Sequence, residues 1–239
     1  CVIGGRTEDH ILESLEKNFQ DFISPKQNNS AKFPTVGRYS GPQCKWVNNS
    51  DNQYNVQLSF LCAGEWSSKH EDYVVLSHLL TDGFSSLLSS KLREELGLVY
   101  DIESSVHFFV EQGVFSIHTS TLKENTLALI EALLQTLNHF LHEGPLEKDL
   151  EKAKNRATAD LSNILYSFES LSYHLARKSQ WNQPTSIMIH YDKIKYVNRE
   201  SLLGVAKELF CKQNTGVVVL GPPKKNIEQD IIQLIHQNL

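Results

Sequence analysis

Residues Thr81–Tyr100, TDGFSSLLSSKLREELGLVY, decide how this chain folds. Leu87, Leu88, Leu92 and Leu96 recur at helical spacing and predict one buried stripe on a helix over 85–96. Gly97 follows and offers the left-handed backbone position that ends a helix without a Cβ penalty. Val99 then opens a β-rich run, so the stretch reads as helix, tight turn, strand. Arg93 falls in the last helical turn and Tyr100 near the start of the strand. Two long donor side chains thus flank one turn and can converge on one point, which suits an oxyanion or a peptide carbonyl. Each also has a purely structural reading. The helix dipole favours a cation in the last turn, and tyrosine is a common strand residue.

Working outward, Val99–Val110 and Val114–Ser120 read as an antiparallel pair turning at Glu111–Gly113. Upstream, Tyr73–Leu80 is helical. Cys44–Val47 and Tyr54–Cys62 are strands joined by the Asn48–Asn52 turn cluster. Tyr54, Val56, Leu58, Phe60 and Cys62 alternate with mostly polar residues, so one face is core and the other is wet. Downstream, a helix carrying Leu127, Ile130, Leu134, Leu137 and Leu141 stops at Gly144-Pro145. Leu146, Leu150, Ala153, Ala157, Leu161, Ile164, Phe168, Leu171 and Leu175 then predict one long helix, on the order of 45 Å at 1.5 Å per residue. Ala153 and Ala157 suit close packing on a sheet better than a zipper seam. Helices over about 185–194 and 199–210 follow.

The chain closes with a strand, Gly216–Gly221, a turn, and an amphipathic helix, Asn226–Leu239. Val2–Gly5, read as the end of a buried strand, and the helix that Thr7 can cap repeat that layout. Ser24–Gln43 has linker composition, with three prolines and no periodicity. The expected organisation is residues 1–23 as the truncated end of a preceding homologous domain, 24–43 as linker, and 44–239 as one complete domain. The fold class is α+β, an antiparallel sheet packed against helices that include one long helix.

Composition limits the functional classes. Of 239 residues, 40% are hydrophobic and 21% charged, the profile of a folded soluble chain. The net charge of −5 does not favour nucleic acid or an anionic membrane surface. No apolar run approaches the roughly 20 residues of a membrane span. Cys1, Cys44, Cys62 and Cys211 show no CxxC or metal-like spacing. Cys62 and Cys211 are expected as buried free thiols, which favours a reducing, cytoplasmic setting. The sequence starts at Cys1 inside an apolar run, as a fragment or processed piece would.

The ten histidines are the metal candidates. His139 and His142 stand at i, i+3 beside Glu143, whereas a zinc pair on a helix usually stands at i, i+4. They also fall in a last helical turn, where imidazole is favoured anyway. His70, Glu71 and His78 lack the full donor set and read as surface or packing residues. His107 and His118, on paired strands, read as cross-strand neighbours. No GxSxG elbow, phosphate loop or dinucleotide fingerprint occurs.

Gly83, Ser85-Ser86 and Leu92-Arg93-Glu94-Glu95-Leu96-Gly97-Leu98-Val99-Tyr100 resemble the second-domain motif of the pitrilysin/insulinase zinc peptidases, the inverzincins, which include mitochondrial processing peptidase. The order of elements resembles that family over nearly the whole chain. The resemblance implies a zinc metalloendopeptidase of paired homologous α+β domains. One domain carries H-x-x-E-H for zinc and the other an Arg and a Tyr seven residues apart. Arg93 and Tyr100 match that pair. The resemblance gives Tyr100 the tetrahedral oxyanion and Arg93 the peptide carbonyl. H-x-x-E-H itself is absent, and Leu87-Leu88 replace the basic residue often found after the serines. The implied chain is therefore half of an enzyme, inactive alone. Its zinc is held by an absent half, on the same polypeptide or another subunit, and none is held here. Its partners are that zinc-binding domain and a peptide substrate, with a homodimer as a further option. The alternative is a non-catalytic scaffold or peptide-binding homologue like the core proteins of respiratory complexes.

Overall fold

The computed structural model of the chain describes residues 1, 3–5, 7–20, 39–50, 53–180, 186–222 and 226–239. They fall into two compact units, Cys1–Arg38 with Ser162–Thr185 and Tyr39–Leu161 with Ser186–Leu239. The strands are β1 (Gln43–Asn48), β2 (Tyr54–Ala63), β3 (Ile102–Phe108), β4 (Gln112–Thr121) and β5 (Thr215–Gly221). The helices are α1 (Glu8–Phe19), α2 (His70–Thr81), α3 (Thr126–Glu143), α4 (Glu147–Tyr166), α5 (Phe168–Gln180), α6 (Met188–Tyr196), α7 (Arg199–Leu209) and α8 (Ile227–Asn238).

The larger unit is an α+β domain on one sheet, ordered β1-β5-β2-β4-β3. Its pairings are antiparallel except for β1 with β5, which run parallel. The segments Cys44–Val47 and Tyr54–Cys62 are strands, but they are not each other's partner. β5 lies between them, with Val217 opposite Cys44 on one side and Leu58 on the other. A run as apolar as GVVVLG gains most in the sheet interior, where both neighbours satisfy its backbone.

Helices cover one face of this sheet. Tyr54, Val56, Leu58 and Phe60 point into it and are at most 1% exposed. They meet Leu76 and Leu80 of α2, Ile130 and Leu134 of α3, Leu202 and Ala206 of α7, and Ile227, Ile231 and Ile235 of α8 in a single core. Phe210 closes it, edge-on to Phe60 at 5.0 Å between ring centroids. Polar ties hold the layers in register. The Trp46 N–H donates to Glu228 Oε1 of α8 at 2.6 Å. Arg199, at the start of α7, donates to the carbonyl of Glu143, which the end of α3 leaves without a helical partner, and to that of Pro145 just beyond. The Asn198 side chain accepts the Ser201 N–H and caps α7.

One expectation changes. The stripe from Leu146 to Leu175 is carried by two helices, because Ser167 starts a new one: its hydroxyl accepts the Ser170 N–H at 3.2 Å, an N-cap. Ala153 and Ala157 do sit buried on α4. Of the opening segment Val2–Gly5, Val2 lies outside the described residues, and Gly4-Gly5 form a bend. Of the linker 24–43, residues 24–38 lie outside the described residues. Tyr39 leads into β1, its hydroxyl donating to the Thr215 carbonyl at 2.8 Å. On α1, Leu12, Leu15 and Phe19 form the expected stripe and are 41–52% exposed.

Candidate functional site

Leu88 and Leu92 are fully buried and seat the turn that carries Arg93. That turn is π-helical over Ser89–Glu95, where a regular helix over 85–96 was expected. The Leu96 N–H reaches back to the Lys91 carbonyl at 3.2 Å, an i→i+5 bond. In this wider turn a residue four positions after Leu92 no longer returns to the same face, so Leu96 is 45% exposed instead of completing the stripe. Gly97 then reverses the chain at φ +61°, with the Leu98 N–H bonded to the Leu92 carbonyl at 2.9 Å.

The chain runs from there to Tyr100, which stands just before β3 rather than in it. Two threonines of β4 pin this short run. Thr121 Oγ1 donates to the Leu98 carbonyl at 2.7 Å, and the Thr119 hydroxyl donates to the Asp101 carbonyl. The two bonds bracket Tyr100, whose side chain projects outward with 84% of its surface exposed. The structure brings the two donors of the sequence motif into contact: the Arg93 guanidinium carbon lies 5.3 Å from the Tyr100 ring centroid. It also lies 4.9 Å from the ring of Phe84, which is 71% exposed. The cation therefore stacks against two aromatic rings, which restrict its plane. Arg93 Nε further pairs with Glu94 at 3.4 Å.

Phe84 escaped the sequence reading. The available signal was a large apolar residue directly after Asp82-Gly83, where a turn makes burial unlikely to be its purpose. Gly83 itself sits at φ +86°, with the Arg156 guanidinium in the space its Cβ would take.

Beside Tyr100 a groove of about 980 Å³ runs over the open face of the sheet. Gly97–Asp101 form one wall, with Asn55, Gln57, Glu103 and His118 among the other lining residues. Asn55 and Gln57 are among the wet positions that the β2 alternation predicts. His118 Nε2 meets Glu103 at 3.1 Å. His107 is opposite Val114, so the two strand histidines are not cross-strand neighbours: the register pairs His118 with Glu103.

The other histidines also sort differently. His139 and His142 join no metal-sized cluster among the described residues; the group that forms is His70, Glu71 and His190. Read from sequence as surface or packing residues, His70 and Glu71 begin α2, and Glu71 is 3% exposed. Burial alone would raise the Glu71 pKa, but His190, His70 and Lys193 hold the carboxyl well below the usual carboxylate range. His78 lies between Asp82 at 3.0 Å and Asp160 at 3.5 Å.

Comparison with known proteins agrees with this architecture. Residues 1–157 match the family model described as the peptidase M16 inactive domain. An uncharacterised zinc protease of Mycobacterium bovis is 26% identical over 239 residues, covering 98% of this chain and 54% of its own length. The chain thus spans about half the length of the curated relatives it matches. A protease from Helicobacter pylori superposes over 92% of this chain and 54% of its own, with TM-score 0.76 and 19% identity. A chain of complex III2 from Candida albicans superposes over 97% of this chain and 57% of its own, with TM-score 0.80 and 12% identity. With the helix–glycine–Tyr100 unit, the one-sided sheet and a family match over more than half of its residues, the chain belongs to the peptidase M16 family, through its inactive domain.

Proposed function

We propose that the chain is the non-zinc half of a zinc metalloendopeptidase and supplies substrate-gripping and transition-state-stabilising groups to a zinc site on a partner half. The observation that carries this reading is the contact between Arg93 and Tyr100, with Tyr100 lining a groove beside it. A half-buried Arg whose guanidinium sits over Phe84 and Tyr100 has its N–H donors positioned by two rings, fit to bind a peptide carbonyl. A tyrosine hydroxyl on a pinned turn can donate to the oxyanion that forms when water attacks that carbonyl. The partner half supplies the zinc, the activated water and the general base. In this reading residues 1–23 complete the preceding zinc-bearing domain, and α1 keeps its apolar stripe for that domain.

The test is reconstitution. The chain alone should leave a quenched-fluorescence peptide library intact, and adding a zinc-bearing H-x-x-E-H half should produce chelator-sensitive cleavage. Cleavage by the chain alone would overturn the reading. Specific assembly with a half that lacks H-x-x-E-H, without peptidase activity, would favour a second reading, a non-catalytic scaffold. That reading draws support from the likeness to a chain of complex III2.

A further inference from the structure

We propose that His70, Glu71 and His190 form a binding site for one zinc-class divalent cation. The three side chains come from two helices. His70 and Glu71 open α2 and His190 lies on α6, with 119 residues between Glu71 and His190. That separation hides the set from any reading by local spacing, and the expectation that no zinc is held here came from the resemblance and the missing H-x-x-E-H.

The geometry fits a tetrahedral ion. One ligand atom from each residue lies within 4.8 Å of the others. His190 Nδ1 is 2.6 Å from Glu71 Oε1, and His70 Nδ1 is 3.6 Å from the same oxygen. Ligand atoms around a tetrahedral zinc with bonds near 2.0–2.1 Å stand about 3.3 Å apart, so the present separations need change by no more than about 1.5 Å to seat the ion. The side chains are 4–14% exposed. Two of their atoms, His70 Nδ1 and Glu71 Oε2, are buried without a hydrogen-bond partner. Buried polar atoms are rarely left so, and a cation between them satisfies both.

The surroundings support the same assignment. Glu65 Oε1 stands 3.9 Å from His70 Nε2, on the far side of the imidazole. A carboxylate there favours the proton on Nε2 and turns the Nδ1 lone pair toward the site. The His70 ring is held by stacking on Phe108, with 4.1 Å between centroids. Two imidazoles and a carboxylate make a borderline donor set that selects zinc-class ions over magnesium or calcium. Lys193 Nζ lies 3.8 Å from Glu71, but its half-exposed side chain can swing to solvent when the cation enters. Ile194 is the one buried residue of α6. An ion shared between α2 and α6 would fasten a helix with few apolar contacts. The burial leaves no room for a peptide at the ion, so the role is structural.

The test uses the full chain, stripped with a chelator and titrated with Zn²⁺ or Co²⁺. One equivalent of Zn²⁺ should survive gel filtration and raise the Tm by several degrees. Co²⁺ should give the visible absorption of a four-coordinate site. His70→Asn and His190→Asn should each weaken binding at least tenfold, while the pair His139→Ala and His142→Ala should leave it unchanged. Wild-type chain that retains no zinc and gives no cobalt band overturns the proposal, as does equal retention by both asparagine variants. If His70→Asn does not fold, His190→Asn decides alone, because it lies on the less buried α6. Peptidase activity is not read, so the outcome is independent of the role given to Arg93 and Tyr100.

Discussion

Replacing Tyr100 by Phe removes one hydroxyl and little else. The ring is 84% exposed, lies before β3 rather than in the core, and keeps its contact with the Arg93 guanidinium at 5.3 Å. Folding should therefore be unaffected, with a Tm within about 1 °C of wild type, as for substitutions that touch no buried group. If the hydroxyl donates to the oxyanion, its loss should cost what removal of one such donor costs elsewhere, about 100- to 1,000-fold in kcat. The loss should fall on kcat with KM nearly unchanged, because the bond exists only in the transition state. The assay is steady-state cleavage of a fluorogenic peptide by the chain reconstituted with its zinc-bearing half, beside a thermal melt of the chain alone. An unchanged kcat/KM at unchanged Tm would refute the assignment. A loss carried wholly by KM would leave Tyr100 as a substrate contact and withdraw its oxyanion role.

Four further outcomes follow from the same geometry. Phe84→Ala removes one of the two rings against Arg93; at about 0.5–1 kcal/mol for an exposed cation–π contact, kcat/KM in the reconstituted enzyme should fall about two- to fivefold, and no fall would mean that Tyr100 alone orients the guanidinium. Thr121→Val deletes the 2.7 Å bond to the Leu98 carbonyl and should lower stability by about 1 kcal/mol in urea melts, with a further loss of kcat from a looser Tyr100; an identical midpoint would show that the pin is not needed. Gly97→Ala meets no atom within 4 Å, so its cost is backbone strain at φ +61°, about 1–2 kcal/mol, and a neutral melt would contradict that conformation. Burial pushes the Cys44 thiol, helped by Glu228, and the Cys62 thiol up to about 12. At pH 8 only about one molecule in 10,000 carries either thiolate, so both should resist iodoacetamide until the chain is unfolded, as peptide mass mapping will show.

Some of this was legible in local pattern and some was not. The β2 alternation specified which face is core, because side-chain direction along a strand depends only on parity. Gly97 marked its own turn, because few other residues accept that backbone. The two-helix division at Ser167 was written in a capping residue, but an uninterrupted apolar stripe outweighed it. Phe84 carried a signal only of exposure, as a large apolar residue after a turn; that it flanks Arg93 is known only from the folded contact. The π-helical turn was hidden for a related reason: the spacing of Leu87, Leu88, Leu92 and Leu96 fits a regular helix, and only the packing of Leu88 and Leu92 shows that Leu96 leaves the stripe.

By itself the sequence determined the mix of strands and helices, the core face of β2, and the glycine turn that Arg93 and Tyr100 flank. These follow from short-range rules: periodicity, caps and permitted backbone angles. The tertiary structure alone decided that β5 enters between β1 and β2, that His118 faces Glu103, that Phe84 flanks Arg93, and that His190 joins His70 and Glu71. Each of these is a contact between residues distant in the chain or across a turn, and such contacts are set by how apolar faces are buried together, a cooperative outcome that no single segment encodes.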